Sequence, residues 1–443
     1  MRNFIKLSNW NDIRYAKAIK TSIVSLLVQF VNILTSFISV PLLINAVGVE
    51  RYGLWAAFAA AFSFLSFSDF GLGIGMQNRI SICIANNERI RIQSIFVSSL
   101  YMSIFMAIIL FCIVLFLVNY IAPSVVNWIK YNDSSIDSDI TPTIISVCLI
   151  IGLGVIAGII QRTFDAFQEG YIYRYINVFS RLLSLFFLYW GTCSNASLAQ
   201  LVFVFNGTPY ICLIISIFFC CKRYSLTLDL ALFDIHELTQ IFKVGIVGLG
   251  AGISIFLVSQ LTPLLISFNF GLNQVAAYSV IMRVLNVAVL FYTLVILPFW
   301  PAVTDAYAKK EREWIKRTLR KMRVAVFSSL IIILVLAGIF SRPFILWWTN
   351  MEIIPPMELI ISCLLFVGLY VWNTQVSVFL NAASLFRGQA TYGILLSLLS
   401  LYTVYTFSSL LSECLVIIIV SIGLLLRNIC MEFELKYKLL KRI

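Results

Sequence analysis

Two arginines, Arg181 and Arg283, stand inside long apolar runs of this 443-residue chain. A guanidinium near the centre of a membrane helix costs about 2.5–3.5 kcal/mol on insertion scales, so it persists only with a partner or water. Arg283 shares a helical face with Ser279, Asn286 and Thr293, at intervals of four, three and seven residues. It reads either as a polar group kept for a ligand, or as a structural ion pair or a side chain snorkelling outward. Arg181 shares a face with Asn177 and Ser184, two turns beyond Arg174. Its long stem can also carry the charge back to the membrane surface.

A third polar line is formed by Ser22, Ser25, Gln29, Asn32, Ser36 and Ser39, whose intervals of three and four keep them on one helical face. In hydrocarbon such a stripe must face protein or water. It is the wall of a wet cavity, or a packing surface of small hydroxyl residues. Gln29 and Asn32 are bulkier than packing asks for, which favours the cavity. Two carboxylates, Asp69 and Asp305, fall near the inner ends of apolar runs. Ion coupling or gating is one role for them; capping or loop anchoring is the other. Arg162 and Asp165, three residues apart, read as a local ion pair. Gly154 and Gly158 form a GxxxG that predicts close helix packing, and the glycines from Gly245 to Gly252 permit a bend.

Catalytic chemistry finds little support. The chain has no GxxxxGK[ST] phosphate loop, no CxxC, and a single histidine, His236, in a polar connection. No cofactor, no metal site and no enzyme activity are expected. The longest external connection, about 123–141, carries Asp133, Asp137 and Asp139 but is too short to hold a sugar donor and an acceptor. Most of the ten cysteines lie in apolar runs and read as small apolar groups; whether Cys193 and Cys414 pair is open.

The elements that must hold these residues follow from composition. Apolar residues make up 61% of the chain and charged ones 12%. A soluble domain carries about 45–50% and about 25%. That excludes a soluble enzyme, a disordered chain and a single-anchor receptor. Apolar runs at roughly 21–46, 53–72, 94–122, 142–161, 175–192 and 198–220, then 243–267, 275–300, 324–348, 357–380, 390–408 and 411–430, are each near the ~20 residues a span needs. The expected fold is an all-α integral membrane protein of about 12 transmembrane helices, in two six-helix lobes around a central cavity. The lobes are residues 1–220 and 243–443, joined by a cytoplasmic linker, 221–242.

Basic residues orient it. Arg51 and Lys130 are external, Arg342 is near an outer end, Arg181 and Arg283 are within the membrane, and the other lysines and arginines border cytoplasmic segments. Both termini are therefore expected inside, and the first 20 residues read as a polar lead-in rather than a cleaved signal. The net charge of +12 is the positive-inside bias together with attraction to anionic headgroups, and needs no nucleic acid. A weak internal match links the two halves: Asn45-Ala-Val-Gly48-Val-Glu-Arg-Tyr52 and Phe268-Asn-Phe-Gly271-Leu-Asn-Gln-Val-Ala-Ala-Tyr278.

Three stretches carry a resemblance: Ile38 to Trp55 (ISVPLLINAVGVERYGLW), Asp69-Phe-Gly-Leu-Gly-Ile-Gly75, and Pro298-Phe-Trp-Pro-Ala-Val-Thr-Asp-Ala-Tyr307 with the basic run Arg312–Arg320 after it. They resemble the bacterial Wzx-type O-antigen/polysaccharide flippases, within the multidrug/oligosaccharidyl-lipid/polysaccharide exporter superfamily. The resemblance implies a multi-pass protein of the bacterial inner membrane, serving polysaccharide or lipopolysaccharide synthesis. It implies a cargo of undecaprenyl-diphosphate-linked oligosaccharide moved to the outer leaflet by alternating access. It also implies H+ or Na+ as coupling ion, and a polymerase and chain-length regulator of the same pathway as partners. Arg283 and Arg181 would then pair the diphosphate, and Gln29, Asn32, Asn286 and Ser279 would bond sugar. A drug or cation antiporter of the same superfamily is the nearest rival. It would prefer acidic deep charges, whereas those here are basic. A membrane polymerase or ligase, or a structural scaffold, fits less well.

Overall fold

The computed structural model describes residues 11–63, 71–128, 136–296, 299, 303, 306–307, 309–383, 385–407 and 411–439. Asp69 and Asp305 lie outside the described residues. So do Asp133, most of the Pro298–Pro301 stretch and the last four residues.

No strand occurs among the described residues. The helices are α1 (Asn11–Val47), α2 (Val49–Ser63), α3 (Leu72–Ala85), α4 (Arg89–Trp128), α5 (Asp137–Ala166), α6 (Tyr171–Cys193), α7 (Leu198–Ile215) and α8 (Ile217–Tyr224). They continue with α9 (Ile235–Phe270), α10 (Leu272–Ile296), α11 (Arg312–Trp348), α12 (Met357–Ala382), α13 (Phe386–Thr406) and α14 (Glu413–Glu434). Among the described residues, nine helical stretches are long and apolar enough to cross a membrane. The other three apolar runs fall on α2, α9 and α13. Helices suit this composition because every backbone polar group is bonded within its own segment.

Burial is inverted relative to a soluble protein. On α6, Phe179, Leu182, Phe186, Tyr189 and Trp190 are exposed while Ser180 and Ser184 are fully buried. Apolar faces turn outward, as lipid demands, and small polar residues turn inward to pack.

Two compact units are present: residues 1–42, 64–126 and 135–249, and residues 43–63, 127–134 and 250–443. In the first, Leu72, Met76 and Ile80 of α3 join Ile95 and Phe96 of α4, Ile160 and Phe164 of α5, and Ile241 of α9. In the second, Ile296 of α10, Leu319 and Val326 of α11, Phe379 of α12 and Met431 of α14 form the core. Helices α5 and α7 pack together in the first unit, and α12 and α14 in the second.

The matched segments of the two halves share a backbone device. Gly48 has φ +84° and Gly271 φ +93°, so each ends one long helix and starts the next in a conformation that favours glycine. Each preceding helix carries an internal proline, Pro41 or Pro263. In the second unit the two segments touch, with Asn273 Nδ2 donating to Glu50 Oε1 at 3.2 Å. A Cβ on Gly53 would lie 2.1 Å from the Leu272 carbonyl oxygen, so glycine is what lets α2 seat on α10.

Several local expectations need correction. Asp165 pairs with Arg174 at 3.3 Å, while Arg162 donates to Gln77 Oε1 at 3.0 Å. The spacing of three promised a pair, but longer-range partners won. Gly154 lies against the Tyr210 ring of α7, yet a Cβ on Gly158 would meet nothing within 4 Å, so that GxxxG is only half a packing motif. Asp137 and Asp139 stand in the first turn of α5 rather than in a loop, where carboxylates complement the helix dipole. The glycines from Gly245 to Gly252 lie inside a continuous α9. All ten cysteines are free thiols; Cys414 is buried and Cys193 exposed.

Candidate functional site

In the first unit the polar stripe of α1 divides by chemistry. Ser25 donates to the Thr21 carbonyl at 2.6 Å and Ser39 to the Ser36 carbonyl at 2.9 Å, so these hydroxyls are spent on their own helix. Gln29 and Asn32 are not satisfied this way. Gln29 Oε1 and Asn32 Oδ1 are enclosed and have no hydrogen-bond partner.

The same condition recurs on α6. Ser180 and Ser184 bond back to the Asn177 and Arg181 carbonyls at 3.0 and 2.8 Å. Asn177 Oδ1 and Arg181 Nε are enclosed and unpartnered. The Tyr210 phenol of α7 is the electrostatic neighbour of Arg181. With Nε enclosed, the side chain is not drawn out to the membrane surface.

Lys20 fixes the register of α1 and α6. Its Nζ stands 4.0 Å over the Tyr171 ring and 5.9 Å over the Tyr175 ring. From that level Gln29 is nine residues along α1 and Arg181 six to ten along α6. At 1.5 Å per residue both come roughly 9–15 Å deeper.

Each enclosed, unmade hydrogen bond costs about 1–3 kcal/mol. Three amide oxygens accept hydrogen bonds, which suits hydroxyl donors, and a guanidinium suits an oxyanion. These groups, at similar depth on α1 and α6, are of the kinds that a hydroxylated, anionic ligand would use.

In the second unit, Arg283 of α10 sits with its guanidinium carbon 5.7 Å from the centroid of the Tyr52 ring, which is fully buried. A desolvated contact of this kind is worth up to about 2 kcal/mol. Tyr52 presents its ring to the arginine while its hydroxyl is enclosed and unpartnered. Ser279 is half-buried one turn before Arg283, and Asn286 is exposed one turn after it. Thr293 bonds to the Val289 carbonyl at 2.8 Å. Gln29, Asn32 and Arg181 belong to the first unit, and Ser279, Arg283 and Asn286 to the second.

A further arginine, not marked by the polar intervals of the sequence, is buried in the second unit. Arg427 of α14 is 2% exposed, with Nε and Nη1 unpartnered. The positive-inside pattern puts it at a cytoplasmic border, because the last apolar run ends near it. The structure buries it among α12, α13 and α14, with Tyr370 and Tyr392 as electrostatic neighbours. Beside it, Asn373 Nδ2 donates to Asn428 Oδ1 at 2.7 Å, and Asn428 Nδ2 to the Leu369 carbonyl at 2.9 Å. Two turns beyond Arg427, Tyr392 donates to Glu434. The available signal was the Arg427–Glu434 interval of seven, which puts both on the face that Val420, Leu424 and Met431 bury.

Ion pairs anchor the helix ends. Glu237 receives Arg79 Nη2 at 2.5 Å and Arg91 Nε at 2.7 Å, tying α9 to α3 and α4. Glu169 takes the Arg223 fork at 2.5 and 3.0 Å and the Tyr224 hydroxyl at 2.9 Å. Among the described residues, no group of three or more His, Cys, Asp or Glu could hold a metal.

A family model described as "Polysaccharide biosynthesis protein" matches residues 18–307. No curated protein matches the sequence. Solved structures do match the fold. An inward-facing multidrug resistance MATE family transporter of the MOP superfamily superposes with TM-score 0.72 at 15% identity, over 92% of this chain and 96% of that one. The lipid II flippase MurJ in an inward closed conformation gives 0.71 at 13% identity, over 94% and 87%. A MOP superfamily transporter from Pyrococcus furiosus, described as having a binding pocket of reverse polarity, gives 0.56 at 16% identity, over 92% and 95%. These likenesses are of fold: a multi-pass helical architecture shared with those transporters.

Proposed function

Since the chain belongs to the polysaccharide biosynthesis protein family and has the fold of MOP superfamily transporters, we propose that it is a flippase for a lipid-linked oligosaccharide. The cargo is an undecaprenyl-diphosphate-linked repeat unit, of O-antigen or similar type. It moves from the cytoplasmic to the outer leaflet of the bacterial inner membrane by alternating access, with both termini inside. A polymerase and chain-length regulator receive it on the far side.

The observation that carries this reading is the unpartnered set Gln29, Asn32, Asn177 and Arg181 in the first unit. Moving a bare anion into a medium of dielectric about 4 costs tens of kcal/mol by Born estimates. A flippase must replace water around diphosphate and sugar while the isoprenoid tail stays in lipid. Arg181 offers the diphosphate a charge-assisted hydrogen bond, and the amides offer the sugar hydroxyls their acceptors. Arg283, with Ser279 and Asn286 on its face, supplies a second cationic position. Asp69 and Asp305 are assigned to ion coupling, by H+ or Na+. A cation antiporter is disfavoured because the deep charges at 181, 283 and 427 are all guanidinium.

Deletion of the gene, followed by extraction of the lipid-linked sugars, tests this. Complete repeat units should accumulate on the cytoplasmic leaflet. Single units already on the outer face would instead indicate a polymerase. No accumulation at all would end the assignment.

A further inference from the structure

Between α10 and α11, at the basic end of the second unit, runs a groove of about 420 Å³ that none of Arg181, Arg283 and Arg427 lines. That volume falls within the range of ligand pockets, roughly 300–1,000 Å³. Its walls are apolar: Val295 and Phe299 on one side, Met322 and Ala325 on the other. The Tyr292 hydroxyl donates to Ser329 Oγ at 3.1 Å and Ser329 donates on to the Ala325 carbonyl at 2.6 Å, so both lining hydroxyls are satisfied. The rim faces outward, with Val295 and Trp314 exposed.

The mouth differs in character. Lys321 and Thr318, three residues apart on α11, line it. The neighbouring cations are partly spent: Lys316 pairs with Glu313 at 3.0 Å and Arg323 with Glu432. Lys321 is exposed and has no acidic partner among the described residues. Exposed Arg317 and Arg320 add positive charge to the same turns.

An apolar slot whose open end is a free ammonium and a hydroxyl is complementary to one class of molecule: a phosphate carrying a hydrocarbon chain. Basic pockets between membrane helices on the cytoplasmic side bind anionic headgroups in this way. We infer that the groove is a binding site for an anionic phospholipid of the inner leaflet, with its phosphate on Lys321 and Thr318 and one acyl chain between α10 and α11. Lys321 is the one cation among the lining residues, and it matches a single phosphodiester charge, which favours a phospholipid over the diphosphate cargo. The site rests on the positive-inside orientation and is independent of which sugar is carried.

The test uses the purified full-length protein in detergent, offered phosphatidylglycerol and phosphatidylcholine of the same chain length. Native mass spectrometry reads lipid retained and thermal unfolding reads stabilisation. Phosphatidylglycerol should be retained preferentially. Lys321→Gln should lower its retention about fivefold, the worth of one basic residue near an anionic surface. Lys321→Arg should preserve it, and Ala325→Trp, which fills the slot from an exposed position, should abolish it. Equal retention of both lipids would overturn the site. So would wild-type retention by the Trp variant, or preferential capture of undecaprenyl phosphate in direct competition. None of these readouts depends on transport, so failure here leaves the flippase reading standing, and the reverse also holds.

Discussion

Arg181→Met separates a cation kept for cargo from one kept for structure. Methionine retains most of the apolar stem and removes the guanidinium, whose Nε is enclosed without a partner. An intramembrane arginine costs about 2.5–3.5 kcal/mol on insertion scales. Its neighbour Tyr210 offers only the dipole of a neutral phenol in return, so the variant should be more stable by about 2 kcal/mol. That is roughly a thirtyfold shift in the unfolding equilibrium, at 1.4 kcal/mol per factor of ten. Transport should move the other way. Losing one hydrogen bond to a charged group removes about 1.5–3 kcal/mol, or roughly 10- to 150-fold in rate. Arg181→Lys keeps the charge but not the planar fork, and should fall between. Stability is read by unfolding in mixed detergent–SDS micelles, and transport by complementation of the deletion strain. A Met variant destabilised by 2 kcal/mol would make Arg181 a structural cation. One with full transport would remove it from the mechanism.

Other expectations follow from the same geometry. Glu237→Gln strips Arg79 of its carboxylate and leaves Arg91 only Glu88, and should cost about 2 kcal/mol in the same unfolding assay, less than a wholly buried pair because Arg91 is 46% exposed. An unchanged midpoint would show the two arginines to be solvated. Gly53→Ala pushes a Cβ against the Leu272 backbone and should cost about 3 kcal/mol, the upper end of overpacking. Gly48→Ala meets no atom within 4 Å and should cost only about 1 kcal/mol, from its positive φ alone. A reversed order would mean that α2 does not seat on α10 as described. Collapsing the proton gradient across vesicles should stop translocation if protons drive it, and unaltered translocation would eliminate a proton-coupled cycle.

What can be read along the chain is one-dimensional. Apolar length, scarcity of charge and the glycines at 48 and 271 are properties of consecutive residues, and they were enough for an all-helical membrane chain. The intervals on α1 and α6 likewise marked Gln29, Asn32 and Arg181, because a face three or four residues apart is set by the helix alone. Which neighbour each polar group meets is a different kind of fact. Glu237 reaches Arg79 across 158 positions, and Asn273 reaches Glu50 across 223. Asp165 passed over Arg162 for Arg174, and Arg427 looked like the edge of a span until α12 and α13 closed around it. The serines of α1 turned to their own backbone and left the amides beside them unsatisfied. Those outcomes depend on which helices become neighbours and at what register. Helical period sets the face of a residue, while burial and partnership are set by whatever the fold places opposite that face.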